Sequence, residues 1–300
     1  MRLPLSERRA ERSVENMAIV TLKNRPGLRM EVHSAPDRYI SSQIVQTGEW
    51  EPFETELIEC FLRPGDVFVD IGANIGWYTI VAASIVGANG HVYAFEPASD
   101  NFELAARNLI LNNLQNVTLE QVAVTDRAGT DLLFLSTENL GDHRLFVSDE
   151  ERASQAVAVT SLSKYFEGKS TPIRMLKLDT QGSEARIFEG LPDDFVRERG
   201  VAAVLLEYWP FGLEQSGSSA KALIRRLAAL NLHCYVIHEG LRGIDPIELD
   251  VLEQRAYGDL RPETKFFVNL LALPVTHSIP DAIRKLIRPS DAPWFYHPPR

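Results

Sequence analysis

Short apolar runs recur along the chain at 67–71 (VFVDI), 91–95 (HVYAF), 117–123 (VTLEQVA), 173–178 (IRMLKL), 201–206 (VAAVLL), 233–237 (HCYVI) and 266–273 (FFVNLLAL). Between the early ones lie segments of helical period at 77–86 and 99–113, with another at 218–230. Runs of this length, apolar on both faces and separated by helices, predict an α/β fold. The expected core is a mostly parallel seven-stranded sheet with helices on both faces and right-handed crossovers. A further helix is predicted in "EPFETELIECFL" (51–62), where apolar residues recur at three and four. "RPGD" (63–66) then turns the chain into the first strand.

The rhythm breaks between 130 and 165. "TDLLFLS" and "QAVAVTSL" read as two extra strands joined by the polar loop "TENLGDHRLFVSDEERAS". A connection of that length tends to be functional or disordered, and residues 136–154 are expected to shape a binding pocket. The expected division is an N-terminal extension (1–45), a catalytic domain (46–275) and a Pro-rich tail (276–300). The first 16 residues read as a charged surface segment. The proline-rich, aromatic "RPSDAPWFYHPPR" cannot form a regular helix and would lie over the surface or against a partner. Both ends are candidates for covering the active site or a neighbouring subunit of a homo-oligomer.

Composition narrows the function classes. A net charge of -10 argues against nucleic acid and against anionic membranes, both of which need clustered Lys and Arg. No apolar stretch reaches the roughly 18 residues of a membrane span. The N-terminus has no apolar core of the signal-peptide kind. Cys60 and Cys234 lie far apart without a zinc-type spacing, and each sits among apolar residues. Buried reduced thiols and a cytoplasmic location are the expectation.

The chemistry starts at "DVFVDIGANIGWYTI" (66–80). A strand ends at Asp70, the chain turns at Gly72, and a helix starts after Gly76. Open parallel sheets bind ligands beyond the carboxyl ends of their strands, so this turn is a candidate nucleotide site, with Asp70 expected to point into the crevice. Glu96 ends the next strand, where an acid can accept both ribose hydroxyls of an adenosine. The spacing is not GxGxxG. Asn74 stands in the middle of the turn, and Asp70 would repel a pyrophosphate while favouring an amine or a sulfonium. That shifts the expected ligand from NAD to S-adenosylmethionine (SAM).

These residues resemble the FkbM-type SAM-dependent methyltransferases. The resemblance rests on 48–79, "VYAFEPASDNFELAARNLILNN" (92–113), "VAVTSLSKYF" (157–166), "MLKLDTQGSEARIFEGL" (175–191) and "VLLEYWP" (204–210), and covers about residues 45 to 275. It implies a Rossmann-like class I methyltransferase fold with a final antiparallel strand. It also implies SAM as methyl donor and a small-molecule hydroxyl acceptor on a secondary metabolite or sugar. The chain departs from the family pattern at Ser163, where an acid is frequent, and at Gln181, where Glu is frequent. Both departures bear on the acceptor.

Donor binding is expected from Asp70, Gly72, Ala73, Asn74, Gly76 and Glu96, with Ala123 and Val124 beside the adenine. O-methylation is an in-line displacement that needs alignment and removal of the hydroxyl proton. The candidates are Asp179, assisted by Glu207 or His143. Lys177, two residues before Asp179 on the same strand face, is placed to orient the carboxylate. Glu184 is a further candidate, set against a plain ion pair with Arg186 or Lys177. Trp209 would wall the acceptor pocket or fill core. A divalent ion held by Asp179 and Glu207 lacks a third ligand, and no metal is expected. Two rival readings stand beside this one: a nicotinamide-dependent oxidoreductase, weakened by the missing GxGxxG, and a non-catalytic SAM-fold binding module.

Overall fold

A computed structural model describes residues 18–34, 37–147, 151–277 and 279–288. The charged first 16 residues and all of the proline-rich aromatic end beyond 288 lie outside the described residues. In chain order the strands and the first six α-helices are β1 (Ile19–Thr21), β2 (Arg29–Glu31), α1 (Ile40–Thr47), α2 (Pro52–Phe61), β3 (Val67–Ile71), α3 (Trp77–Val86), β4 (His91–Phe95), α4 (Ser99–Leu111), β5 (Val117–Glu120), β6 (Ala123–Val124), β7 (Gly129–Leu135), β8 (Ala153–Thr160), α5 (Leu162–Tyr165), β9 (Met175–Leu178), α6 (Glu184–Glu189), β10 (Ala203–Tyr208), β11 (Leu232–His238), β12 (Gly243–Ile247) and β13 (Val268–Pro274).

The main sheet has the order β12-β11-β13-β10-β9-β3-β4-β5. Strands β5, β4, β3, β9 and β10 are parallel, and β13 enters antiparallel between β10 and β11. Side-chain alternation divides the core into two layers. Val69, Ile71, Leu176, Leu178 and Leu206 pack under Ile187, Phe188 and Leu223. Phe68, Met175, Leu205 and Leu271 pack under Phe53, Leu57, Ile80 and Val81. Because both faces are covered, the central strands show near-continuous apolar runs, and this made them readable.

Two differences from the expected strands have local causes. The run 117–123 is not one strand. β5 ends at Glu120, Val122 folds back through its amide to the Glu120 carbonyl (3.0 Å), and β6 pairs with β8 in a separate sheet of order β6-β8-β7. An eighth strand, β12, also extends the main sheet by pairing antiparallel with β11. Its sequence, GIDPI, holds a proline, which an edge strand tolerates because one row of its amides needs no sheet partner.

The segment before residue 46 packs into the second core layer through Leu22, Met30, Val32 and Ile44. Two asparagines one turn apart, Asn108 on α4 and Asn112 just past its end, bind it. Asn108 accepts from the Glu31 amide (2.7 Å) and donates to the Glu31 carbonyl (2.9 Å). Asn112 does the same for Arg29 at 2.8 and 2.7 Å. The side-chain amides thus stand in for a neighbouring strand along β2.

Candidate active site

The strand order reverses at β3 and β9, and a cavity opens there beyond their carboxyl ends. It holds about 820 Å³ of empty space, counting its mouth. The turn after β3 forms its floor. Gly72 has φ +80, and a Cβ there would stand 2.0 Å from the Asp179 carbonyl oxygen, so only glycine lets the turn pass β9 this closely. Asn74 follows in the left-handed region, at φ 52.

All five amides of this turn are already engaged. Those of Gly72 and Ala73 donate to the Phe95 carbonyl (3.0 Å each) and that of Gly76 to the Ala73 carbonyl (2.9 Å). The Asn74 amide donates to Glu96 Oε2 (2.7 Å) and the Ile75 amide to Asn74 Oδ1 (2.7 Å). Glu96 lines the cavity, and its Oε1 accepts from the Ala98 amide (2.9 Å). Burial pushes its carboxyl up to about 7, against the pull of these two amides.

The opposite wall comes from the turn between β9 and α6. Glu184 is fully buried and folds this turn around its own carboxylate. It accepts from the Thr180 amide and hydroxyl (2.8 Å each) and from the Gly182 amide (3.0 Å). Burial pushes Glu184 up to about 7. It pairs with neither Arg186, which goes to Asp126 (2.8 Å), nor Lys177. The turn presents Asp179, Thr180, Gln181 and Ser183 to the cavity. Asp179 accepts from Lys177 Nζ on one oxygen (3.3 Å) and from Gln181 Nε2 on the other (2.7 Å). Burial by itself would lower the Lys177 ammonium, but Asp179, Asp70, Glu51 and Glu54 together raise it above its ordinary value, so it stays charged. Its Nζ also stands 4.5 Å from the centre of the Tyr78 ring.

The long loop after β7 forms the lid. The Leu140 carbonyl accepts from Asn74 Nδ2 (3.2 Å) and Asn101 Nδ2 (2.9 Å), which ties the loop to the glycine turn and to α4. Further on, Arg144 is buried, bonds Asp142 through two nitrogens (2.5 and 2.7 Å) and stacks over Trp209 (4.8 Å to the ring centre). Leu140, Gly141, His143 and Leu145 of this loop face the cavity, together with Ile40 from α1 and Trp50.

The sequence profile of the "Methyltransferase FkbM domain" family matches residues 70–233, over half of the chain. The chain belongs to the FkbM methyltransferase family. Its sheet, with the antiparallel β13 inserted between two parallel neighbours, is a class I methyltransferase fold. The chain is 28% identical over 144 residues to the 31-O-demethyl-FK506 methyltransferase FkbM of Streptomyces tacrolimicus, covering 48% of this chain and 54% of that one. It is 36% identical over 58 residues to a protein-L-isoaspartate O-methyltransferase of Methanothrix thermoacetophila, 19% of this chain and 28% of that one. The chain thus spans about half or less of the length of these curated relatives. A crystal structure of an FkbM methyltransferase from Methylobacillus flagellatus superposes with a TM-score of 0.37 at 13% identity, covering 73% of this chain and 50% of that one.

This FkbM-family cavity gathers Gly72, Ala73, Asn74, Glu96, Ala123, Val124, His143, Lys177 and Asp179. Three expected residues are placed otherwise. Asp70 is fully buried and does not line the cavity, because alternation along β3 turns Ile71 toward the ligand side and Asp70 toward α3. There its Oδ2 accepts from Thr79 Oγ1 (2.6 Å), and Lys177 is its neighbour in strand register. Gly76 does not line the cavity; a Cβ there would face Ala105 (3.5 Å), and the residue serves the positive φ that starts α3. Glu207 shares the Asp70 face of the sheet, opposite Asn269 in register, away from the cavity wall. Trp209 is outside the lining as well; it packs with Phe146 and Phe267 under the lid.

His143 is in the cavity but in the wrong state for a base. Burial, with Arg152 nearby, pushes its imidazole down to about 4. Its Nδ1 accepts from the Ser136 amide (3.0 Å), so the neutral ring carries its proton on Nε2 and can only donate there. Sequence reasoning missed Trp50, Tyr78, Ile40 and Ser183. Nothing in their residue types signals a site; Ile40, Trp50 and Tyr78 arrive through the packing of α1, α2 and α3 around the turn, and Ser183 through the turn between β9 and α6. Among the described residues no group of three or more His, Cys, Asp or Glu could hold a metal ion.

Proposed function

We propose that this chain is a SAM-dependent methyltransferase that methylates a hydroxyl oxygen of a small-molecule acceptor. The observation that carries the reading is the glycine turn with all five amides spent inside the protein. A dinucleotide needs such amides for its pyrophosphate, whereas a nucleoside ligand without phosphate does not. This weighs against the nicotinamide reading.

The residues present fit SAM. Glu96 stands at the cavity wall with each oxygen holding one amide and retaining lone pairs for ribose hydroxyls. Ala123, Val124 and Phe95 supply apolar surface for a base. Bound SAM would supply an electrophilic methyl group. The protein's part is to exclude water with the lid, to align the acceptor and to receive the hydroxyl proton on Asp179. Lys177 and Gln181 hold the Asp179 carboxylate from both sides, which keeps one orientation toward the cavity.

The test is titration calorimetry with S-adenosylhomocysteine and NADH, followed by transfer of labelled methyl from SAM to a panel of hydroxylated acceptors. The expected result is binding of the first ligand only, with Asp179→Asn sparing binding and abolishing turnover. Equal or tighter NADH binding would overturn the cofactor assignment. Tight SAM binding with no turnover on any acceptor would favour the non-catalytic module instead.

A further inference from the structure

Ser183 is buried to 1% exposure, lines the cavity, and its hydroxyl has no hydrogen-bond partner among the described residues. It occupies the residue before α6 yet makes no capping hydrogen bond to that helix. Leaving a buried hydroxyl unpaired is destabilising, because it has lost its water without gaining a partner. An alanine would avoid that cost in the empty protein.

Neighbouring contacts show which end of the cavity Ser183 faces. The next turn of α6 is pinned to the segment after β6: Arg186 pairs with Asp126 (2.8 Å), and a Cβ on Gly190 would come 2.8 Å from the Asp126 Cα. Gly182, at φ +107, lies so close to the Gly212 backbone that a Cβ would stand 2.7 Å from it, which holds the turn from the other side. These contacts place Ser183 toward the end of the cavity where Val122, Ala123 and Val124, the stretch that leads into Asp126, also line it; Val124 and Ala185 share one core layer. That end is apolar, so a lone hydroxyl there meets whatever polar edge a flat ligand carries.

We propose that the Ser183 hydroxyl hydrogen-bonds the polar edge of the purine base of the nucleoside bound in this cavity. The inference rests on the SAM reading above and adds the residue that recognises the base. A hydroxyl both donates and accepts, so it can meet either a ring nitrogen or an exocyclic amine.

Two ligands and one substitution test it. S-Adenosylhomocysteine and adenosine are titrated into the wild-type protein and into Ser183→Ala, and melting of the ligand-free proteins is recorded. Ser183→Ala should melt no lower than wild type, since it removes an unpaired group. It should bind both ligands about fivefold more weakly, the equivalent of about 1 kcal/mol for one neutral hydrogen bond. Affinities within twofold of wild type would overturn the proposal. A loss confined to S-adenosylhomocysteine would place the contact on the amino-acid moiety and overturn the purine assignment. Failure of the wild-type protein to bind either ligand would instead sink the SAM reading on which the proposal rests.

Discussion

Glu96 allows a quantitative test of the donor site. Its carboxyl is pushed up to about 7 by burial in the ligand-free protein. If ribose hydroxyls donate to it, the bound state needs the ionised form, and binding must first remove the proton. The apparent dissociation constant then carries the factor 1 + 10^(pKa − pH). With a value of about 7, the factor is about 11 at pH 6 and about 1.1 at pH 8, so affinity for S-adenosylhomocysteine should tighten about tenfold over that range. The sign for stability is opposite. Between the ordinary 4.5 and about 7 the folded protein holds a proton that the unfolded chain has lost, so the ligand-free protein loses stability as pH rises through this window and levels off above it. The ligand-induced rise in melting temperature should therefore grow from pH 6 to pH 8 while the ligand-free melting temperature does not. Glu96→Gln, which imitates the protonated acid, should bind at least about tenfold more weakly at pH 8 and show a flat profile. His143 does not titrate in this range, being pushed down to about 4. Glu184 does, at about 7, so Glu184→Gln serves as the control and should keep the slope. A flat profile in the wild-type protein, or a slope that survives in Glu96→Gln, would mean that Glu96 does not receive the ribose hydroxyls.

Three further outcomes follow from the geometry. Gly72→Ala places a methyl 2.0 Å from the Asp179 carbonyl oxygen at a positive φ, and urea unfolding should show a loss of at least about 3 kcal/mol; a loss under about 1 kcal/mol with ligand binding intact would contradict the close approach. Arg144→Ala should destabilise the protein by about 3 kcal/mol, the low end for breaking a buried pair, because Arg152 still faces Asp142 (2.7 Å). Hydrogen exchange in 136–147 should rise with it, and unchanged exchange there would show that the lid is held elsewhere. Asn108→Leu removes its two bonds to the Glu31 backbone and its bond to the Ile75 carbonyl (3.0 Å), and should speed exchange across β1 and β2, while Asp179→Asn should leave exchange there untouched.

The two-sided apolar runs of β3, β4, β9 and β10 were legible as strands because a parallel sheet buried on both faces needs continuous apolar sequence. The turn 72–76 was legible because its glycines and Asn74 answer a backbone requirement written locally, a positive φ. Acids at strand ends were legible as candidates for the same reason: the crevice of an open sheet lies there. Which way each acid points was not. Asp70 and Glu96 look equivalent in sequence, yet strand alternation buries Asp70 against Thr79 and Lys177 while Glu96, one residue past its strand, turns back to cap Asn74. The state of His143 depended on a backbone amide seven residues earlier, which only the folded lid supplies. The split of 117–123 into β5 and β6 depended on β8, more than thirty residues away, which offers a second pairing surface. The chain alone determined the elements and the class of site, because periodicity and turn chemistry act over neighbouring residues. The tertiary structure alone decided which groups share the cavity, their protonation and the position of Ser183, because these arise from contacts between segments far apart in sequence.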